Sequence, residues 1–160
     1  MSRAFVKEMD DAPPPPPLER PVSLAPNRVT PRGAALIEAS VAALEGQLAA
    51  TSGEEAIALI RRDLRYWVAR HATMRIAPPD PAPGAVAFGV RATIARGAVT
   101  SDIAIVGEDE ADPPAGLIAW TAPLARALDG AEVGEVVEFE AGGRVEEIKV
   151  IAVAAGRAGE

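Results

Sequence analysis

Thr51-Ser52-Gly53-Glu54-Glu55 is a short break with a helical apolar seam on either side of it. Upstream, Ile37, Val41, Leu44 and Leu48 recur at spacings of four, three and four. Downstream, Ile57, Ile60, Leu64, Trp67, His71 and Met74 recur at three, four, three, four and three. A seam of this period lets one helix pack along another. Two such seams joined by so short a break predict an antiparallel helical hairpin, a short coiled coil. Each arm would hold about 20 residues and reach ~30 Å. Thr30 followed by Pro31 supplies an N-cap and an N1 proline, so the first helix is expected to open there and run to about Ala50. Ser52 with Glu55 three residues later fits a capping box for the second helix. Pro78-Pro79-Asp80-Pro81 cannot continue that helix.

Beyond this proline linker the period changes from helical to alternating. Val86, Phe88, Val90, Ala92 and Ile94 read as one strand, residues 103–106 as a second, and residues 117–120 as a short third. Residues 123–128 read as a brief helix closed by Gly130. Residues 136–140 and 144–153 read as two more strands joined at Ala141-Gly142-Gly143, a hairpin turn. The expected class is therefore α+β: a helical hairpin followed by a small, mostly antiparallel β-sheet domain with one short helix. The expected organisation is a disordered proline-rich arm (1–27), the hairpin (28–77), a linker (78–84), the β-rich domain (85–154) and a frayed tail (155–160). The arm contains the run Pro13 to Pro17, with Pro21 and Pro26 after it, and favours polyproline conformation. It reads as a stiff spacer or as a docking segment for an aromatic-lined groove.

Composition narrows the function. The 160 residues include no cysteine and one histidine, which excludes disulfides and thiolate metal sites and disfavours histidine-based ones. The net charge of −7 is unevenly placed: residues 1–80 hold ten basic and ten acidic side chains, residues 81–160 six and thirteen. A half so acidic repels phosphates, so sequence-specific nucleic-acid binding is not expected, and any action on transcription should pass through a protein. No apolar stretch approaches the ~20 residues of a membrane helix. The opening Met-Ser-Arg-Ala-Phe-Val-Lys-Glu reads as no export signal, so the expectation is a cytoplasmic monomer without a membrane segment.

Ile105-Val106-Gly107-Glu108-Asp109-Glu110-Ala111-Asp112 resembles a stretch of the GreA/GreB transcription elongation factors, a strand followed by an acidic loop. The resemblance continues in order through Val86-Ala87-Phe88-Gly89, Pro123-Leu124-Ala125-Arg126-Ala127-Leu128, Gly134-Glu135-Val136-Val137-Glu138 and the Gly142-Gly143 turn. Upstream, Val29-Thr30-Pro31-Arg32-Gly33 is similar to the family's first-helix entry. The resemblance implies an N-terminal coiled coil and an FKBP-like C-terminal domain. It also implies a partner, RNA polymerase, gripped at the rim of its secondary channel by the globular domain. The coiled coil would enter the channel, where acidic tip residues touch the polymerase's own magnesium. On this reading the factor has no cofactor and no catalysis of its own. The family's Gly-Asp-x-x-Glu-Asn-x-x-Tyr tip signature is absent and the arm is shorter than the family's, which implies weak or no stimulation of transcript cleavage. A short hairpin on this domain also resembles Rnk, the regulator of nucleoside diphosphate kinase. That alternative would compete with Gre factors by occupancy.

The candidate site residues follow from this. Glu54 and Glu55 at the tip read either as a carboxylate pair suited to magnesium or as first-turn acids favoured by the helix dipole. Trp120, Thr121, Ala122, Pro123, Leu124 and Arg126 are candidates for polymerase contact, with Trp120 read as either core or interface anchor. The acidic loop Glu108, Asp109, Glu110 and Asp112 reads as a solvated loop facing basic partner groups or, less readily, as a cation site. Arg61, Arg62, Arg65 and Arg70 form a basic face on the second helix, and His71 is expected to pack in its seam. Two rivals remain: a prolyl isomerase, disfavoured because residues 81–160 hold only Phe88, Trp120 and Phe139 to line a pocket, and a generic interaction module.

Overall fold

The structure, a computed structural model, describes residues 15–78, 80 and 82–156. A two-residue strand, β1 (Arg28–Val29), leads into helix α1 (Pro31–Ala50). The Thr30 hydroxyl accepts the Gly33 N–H at 2.9 Å, so the cap read from Thr30-Pro31 is formed. Helix α2 (Glu54–Thr73) returns alongside α1. Its start differs from the expected capping box. Gly53, at φ +112°, is the N-cap and offers no side chain. A residue without Cβ is favoured there because the chain reverses through positive φ. Glu54 and Glu55 thus fall in the first turn, while Thr51 closes α1 by donating to the Gln47 carbonyl at 2.6 Å.

Between the helices, Val41, Leu44, Leu48, Ile57, Ile60 and Leu64 are half-buried, as expected of a seam covered by one partner only. Toward the base, Ile37 is fully buried with Val29 and Ala34, and Trp67 and Met74 pack against them. The seam departs from its heptad at the last turn. His71 is exposed and Arg70 is 1% exposed, because a helix of 3.6 residues per turn drifts from a seven-residue repeat and the inward position has a carboxylate to meet. β2 (Arg75–Ile76) pairs in parallel with β1 and ties off the hairpin base.

The C-terminal half is a five-stranded sheet with strand order β5-β4-β3-β7-β6, built from β3 (Val90–Arg96), β4 (Val99–Val106), β5 (Leu117–Ala119), β6 (Val136–Ala141) and β7 (Arg144–Ala155). Ala92, Ile94, Ile103, Ile105, Ile148 and Val150 form its buried face, covered by Ala125 and Leu128 of helix α3 (Pro123–Leu128). Gly142 and Gly143, both at positive φ, form the two-residue turn of the β6–β7 hairpin. One detail differs from the sequence reading. The first strand begins at Val90, not Val86: Gly89 at φ +80° interrupts the alternation, and Val86 bonds instead to the Ala131 carbonyl and the Gly130 N–H. The sheet is mostly antiparallel, as expected, with one parallel pair. Two 3₁₀ turns, Glu108–Glu110 and Pro113–Ala115, carry the chain back far enough for β5 to run parallel to the last three residues of β4, Ala104–Val106.

Residues 15–26 have no helix or strand, yet they are laid along α2, which corrects the reading of the whole arm as disordered. Glu19 accepts hydrogen bonds from Arg65, and the Arg20 guanidinium lies 3.9 Å from the Tyr66 ring centroid. Of the proline run, Pro13 and Pro14 lie outside the described residues, as do 157–160 of the expected tail.

Candidate functional site

The acidic turn after β4 lies where the hairpin meets the sheet. Gly107 brings it close: a Cβ at that position would stand 2.7 Å from the Arg28 carbonyl oxygen. The following three carboxylates face inward. Asp109 accepts from Arg70 Nε at 2.5 Å and from the Tyr66 hydroxyl. Glu108 lies 3.5 Å from the second nitrogen of the same guanidinium and accepts from Ser23 at 3.0 Å and Thr121 at 3.2 Å. Glu110, itself buried, accepts from the Thr30 hydroxyl at 2.5 Å and lies 3.9 Å from Arg32. Asp112 remains exposed. The expectation of a solvated loop is therefore corrected for Glu108, Asp109 and Glu110. Their charges are engaged by this chain's own cations and hydroxyls, because a buried carboxylate must be paired. Arg70 likewise leaves the basic face of α2 for the interior. Burial, reinforced by the hydrogen bond to Asp109, pushes the Tyr66 hydroxyl up to about 12.

The candidate contact loop abuts this junction. Thr121 joins it to Glu108, Ala122 offers no side-chain cap to α3, and Pro123 and Arg126 are exposed. Leu124 packs on the core. Trp120 packs against the core cluster, one of its two expected characters, and lines a cavity of about 180 Å³ with Arg28, Phe88, Arg126 and Asp129. The Arg28 guanidinium lies 4.5 Å from the Phe88 ring centroid and 5.3 Å from that of Trp120, a cation–π arrangement. The Trp120 indole N–H is buried and has no acceptor among the described residues.

Glu54 and Glu55 are exposed at the opposite end of α2, about 24 Å from Arg70 by helix rise. Pro15, Pro16 and Pro17 lie beside them across a cleft shared with Ala58 and Leu59. The structure thus joins the acidic turn to the contact loop and leaves the tip separate.

Sequence reasoning missed three participants. Asn27 donates from its side chain to the Arg70 carbonyl at 2.7 Å, and Tyr66 and Arg20 complete the base of the hairpin and its covering. Only Tyr66 and Arg70, four apart on one helix face, carried a readable signal.

Comparison with known proteins fits this half of the chain. Residues 80–155 match the family described as transcription elongation factor, GreA/GreB, C-term. Those residues are a GreA/GreB C-terminal domain. Transcription elongation factor GreA of Legionella pneumophila (strain Corby) is 41% identical over 75 residues, covering 46% of this chain and 47% of the relative. GreA of Methylococcus capsulatus is 42% identical over 73 residues, covering 44% and 46%. The chain spans about half the length of the curated relatives it matches. Among solved structures, GreA/GreB from Nitrosomonas europaea is 19% identical with a TM-score of 0.41, over 81% of this chain and 98% of that one. GreA factor homolog 1 of Thermus thermophilus is 13% identical with a TM-score of 0.39, over 81% and 99%. The GreA/GreB domain includes the acidic turn, the contact loop and α3; Val29-Thr30-Pro31-Arg32-Gly33 lies outside the match.

Proposed function

We propose that this chain is an RNA polymerase-binding regulator of transcription elongation. In this reading residues 85–154 dock at the rim of the polymerase secondary channel and residues 28–77 project into it. The observation that carries the reading is the GreA/GreB domain at residues 80–155 joined to an antiparallel hairpin with exposed carboxylates at its tip. Trp120, Thr121, Ala122, Pro123, Leu124 and Arg126 form the docking edge, with Pro123 and Arg126 free to touch a partner.

The mechanism is occupancy. Helices of 20 residues give a prong of ~30 Å, shorter than the arm of the cleavage factors it resembles. Two carboxylates in one helical turn can approach a hydrated magnesium, but the tip lacks the Gly-Asp-x-x-Glu-Asn-x-x-Tyr signature of the cleavage factors. The protein therefore excludes other channel ligands and stimulates cleavage weakly or not at all. It contributes no metal of its own, acts in the cytoplasm and works as a monomer. The Rnk-like alternative shares this occupancy and is favoured by the same short hairpin.

Co-purification with core RNA polymerase tests the partner, and displacement of a full-length Gre factor tests the site. Binding with displacement is expected. Absence of binding would remove the reading.

A further inference from the structure

The face of α2 that carries Arg62, Arg65, Tyr66 and Trp67 is covered by residues 15–26, and the chemistry of that contact is unusual for a structural one. Beyond the prolines that lie beside Ala58 and Leu59, it is carried by charged side chains. Glu19 bonds to Arg65, whose guanidinium holds the Glu19 carboxyl below the usual range. Arg20 lies over Tyr66 and, at 5.6 Å, over Trp67, and is 3.9 Å from Asp63. Meanwhile the segment's own apolar side chains turn to solvent: Leu18 is 89% and Leu24 103% exposed. A segment held by burial would do the reverse. Exposed ion pairs contribute little each and are screened by salt. Only the C-terminal end is firmly fixed, where Asn27 and Val29 are buried at the hairpin base. The covering segment is thus anchored at one end and weakly held along the rest.

We propose that this α2 face is a docking surface for an extended acidic segment of a protein partner, and that residues 15–26 occupy it in cis until that partner displaces them. Charge complementarity identifies the occupant. Arg61, Arg62 and Arg65 lie within two turns of one another, with Asp63 the single acid among them. The ring faces of Tyr66 and Trp67 suit an extended, proline-spaced backbone. Glu19 is the cis copy of the group the surface selects. The exposed Leu18, Val22 and Leu24 give a partner an apolar handle on the segment it lifts. The identity of the partner as polymerase rests on the function proposed above; the cis contact does not.

The chain has no cysteine, so spin labels at Leu18→Cys and Arg61→Cys in the full-length protein are unique. At low salt their distance distribution is expected to be single and narrow. Glu19→Arg should lengthen and broaden it, and Glu19→Arg combined with Arg65→Glu should restore it. A broad distribution in the parent, or a narrow one that Glu19→Arg leaves unchanged, overturns the proposal. Unlabelled Glu19→Arg is then compared with the parent for binding to core RNA polymerase. If the covered state holds nine molecules in ten, opening it tightens apparent binding about tenfold, and the charge-swapped pair returns it to the parent value. Equal binding by parent and Glu19→Arg overturns the masking. If neither binds polymerase, the proposed function fails while the distance measurement still judges the cis contact.

Discussion

Arg70→Ala should be the most damaging single change at the junction of hairpin and sheet. Arg70 is 1% exposed, and the Asp109 side chain that accepts its Nε at 2.5 Å is 6% exposed. Removing one member of a buried pair strands the other charge and typically costs ~3–5 kcal/mol. The Tyr66 hydroxyl still donates to Asp109 in the variant, and Glu108, the more accessible carboxylate, can turn to water. The lower end, about 3 kcal/mol, is therefore expected. For a chain of this size that is a fall in Tm of roughly 6–12 °C, read by calorimetry or by loss of the helical circular-dichroism signal. Arg70→Met combined with Asp109→Leu supplies the control. Replacing both charges with apolar side chains of similar bulk leaves no buried charge stranded; the Tyr66 hydroxyl loses its acceptor and Glu108 turns to water, so stability should return to within about 1–2 kcal/mol of the parent. A fall under ~2 °C for Arg70→Ala would show that the ion pair carries no stability. A double variant as damaged as the single one would show that packing, not charge, was lost. Either result refutes the account of the acidic turn as the clasp of the hairpin.

Gly107→Ala places a Cβ 2.7 Å from the Arg28 carbonyl oxygen, a backbone atom that cannot swing aside, and should cost ~1–3 kcal/mol in urea unfolding. The chain has one tyrosine, so an absorbance titration reads Tyr66 alone: the midpoint should lie near 12 in the folded protein and near the ordinary 10 once unfolded. Because the folded value is the higher one, this contribution to stability is complete below pH 10 and is lost as pH rises from about 10 to about 12. With solvent screening at a half-buried ring it amounts to on the order of 1 kcal/mol, and Tyr66→Phe should abolish that alkaline slope. Glu54→Ala with Glu55→Ala should cost less than about 1 kcal/mol per residue, the helix-dipole contribution alone. In a stalled-complex assay with purified polymerase it should leave the cleavage rate measured with the parent protein unchanged; a marked drop would assign the tip to the magnesium.

How much of this was legible in the sequence depended on how local each determinant was. Thr30-Pro31 announced the start of α1, and Gly142-Gly143 announced the turn between β6 and β7, because a cap and a two-residue turn are specified by adjacent residues. The same held for Pro123 to Leu128. What failed was whatever a distant partner decides. Neighbouring positions on a helix differ by ~100°, so periodicity alone could not choose between His71 and Arg70 for the interior. Asp109, 39 residues further on, makes that choice. The arm was equally opaque, since a polyproline run has no side-chain period to betray which helix it lies on, and Glu19 meets Arg65 across 46 residues. The direction of β5 was hidden for a related reason: nothing in residues 117–119 says which way the two preceding 3₁₀ turns have sent the chain.

The acidic turn shows what this means for function. Taken as sequence, Glu108-Asp109-Glu110 is a run of charge offered to a partner. Folded, it meets Thr30 and Arg32 of the hairpin's first arm and Tyr66 and Arg70 of its second. Both arms are thus fixed to the GreA/GreB domain through one turn, and Glu108 extends the same network to Thr121 in the contact loop and Ser23 in the covering segment. Thr121 is therefore one hydrogen bond away from the carboxylates that hold the hairpin. The angle at which the prong leaves the sheet is set by a charge pair whose two members lie in different halves of the chain. That geometry makes Arg70 and Asp109, rather than the exposed acids at the tip, the residues on which presentation of the hairpin depends.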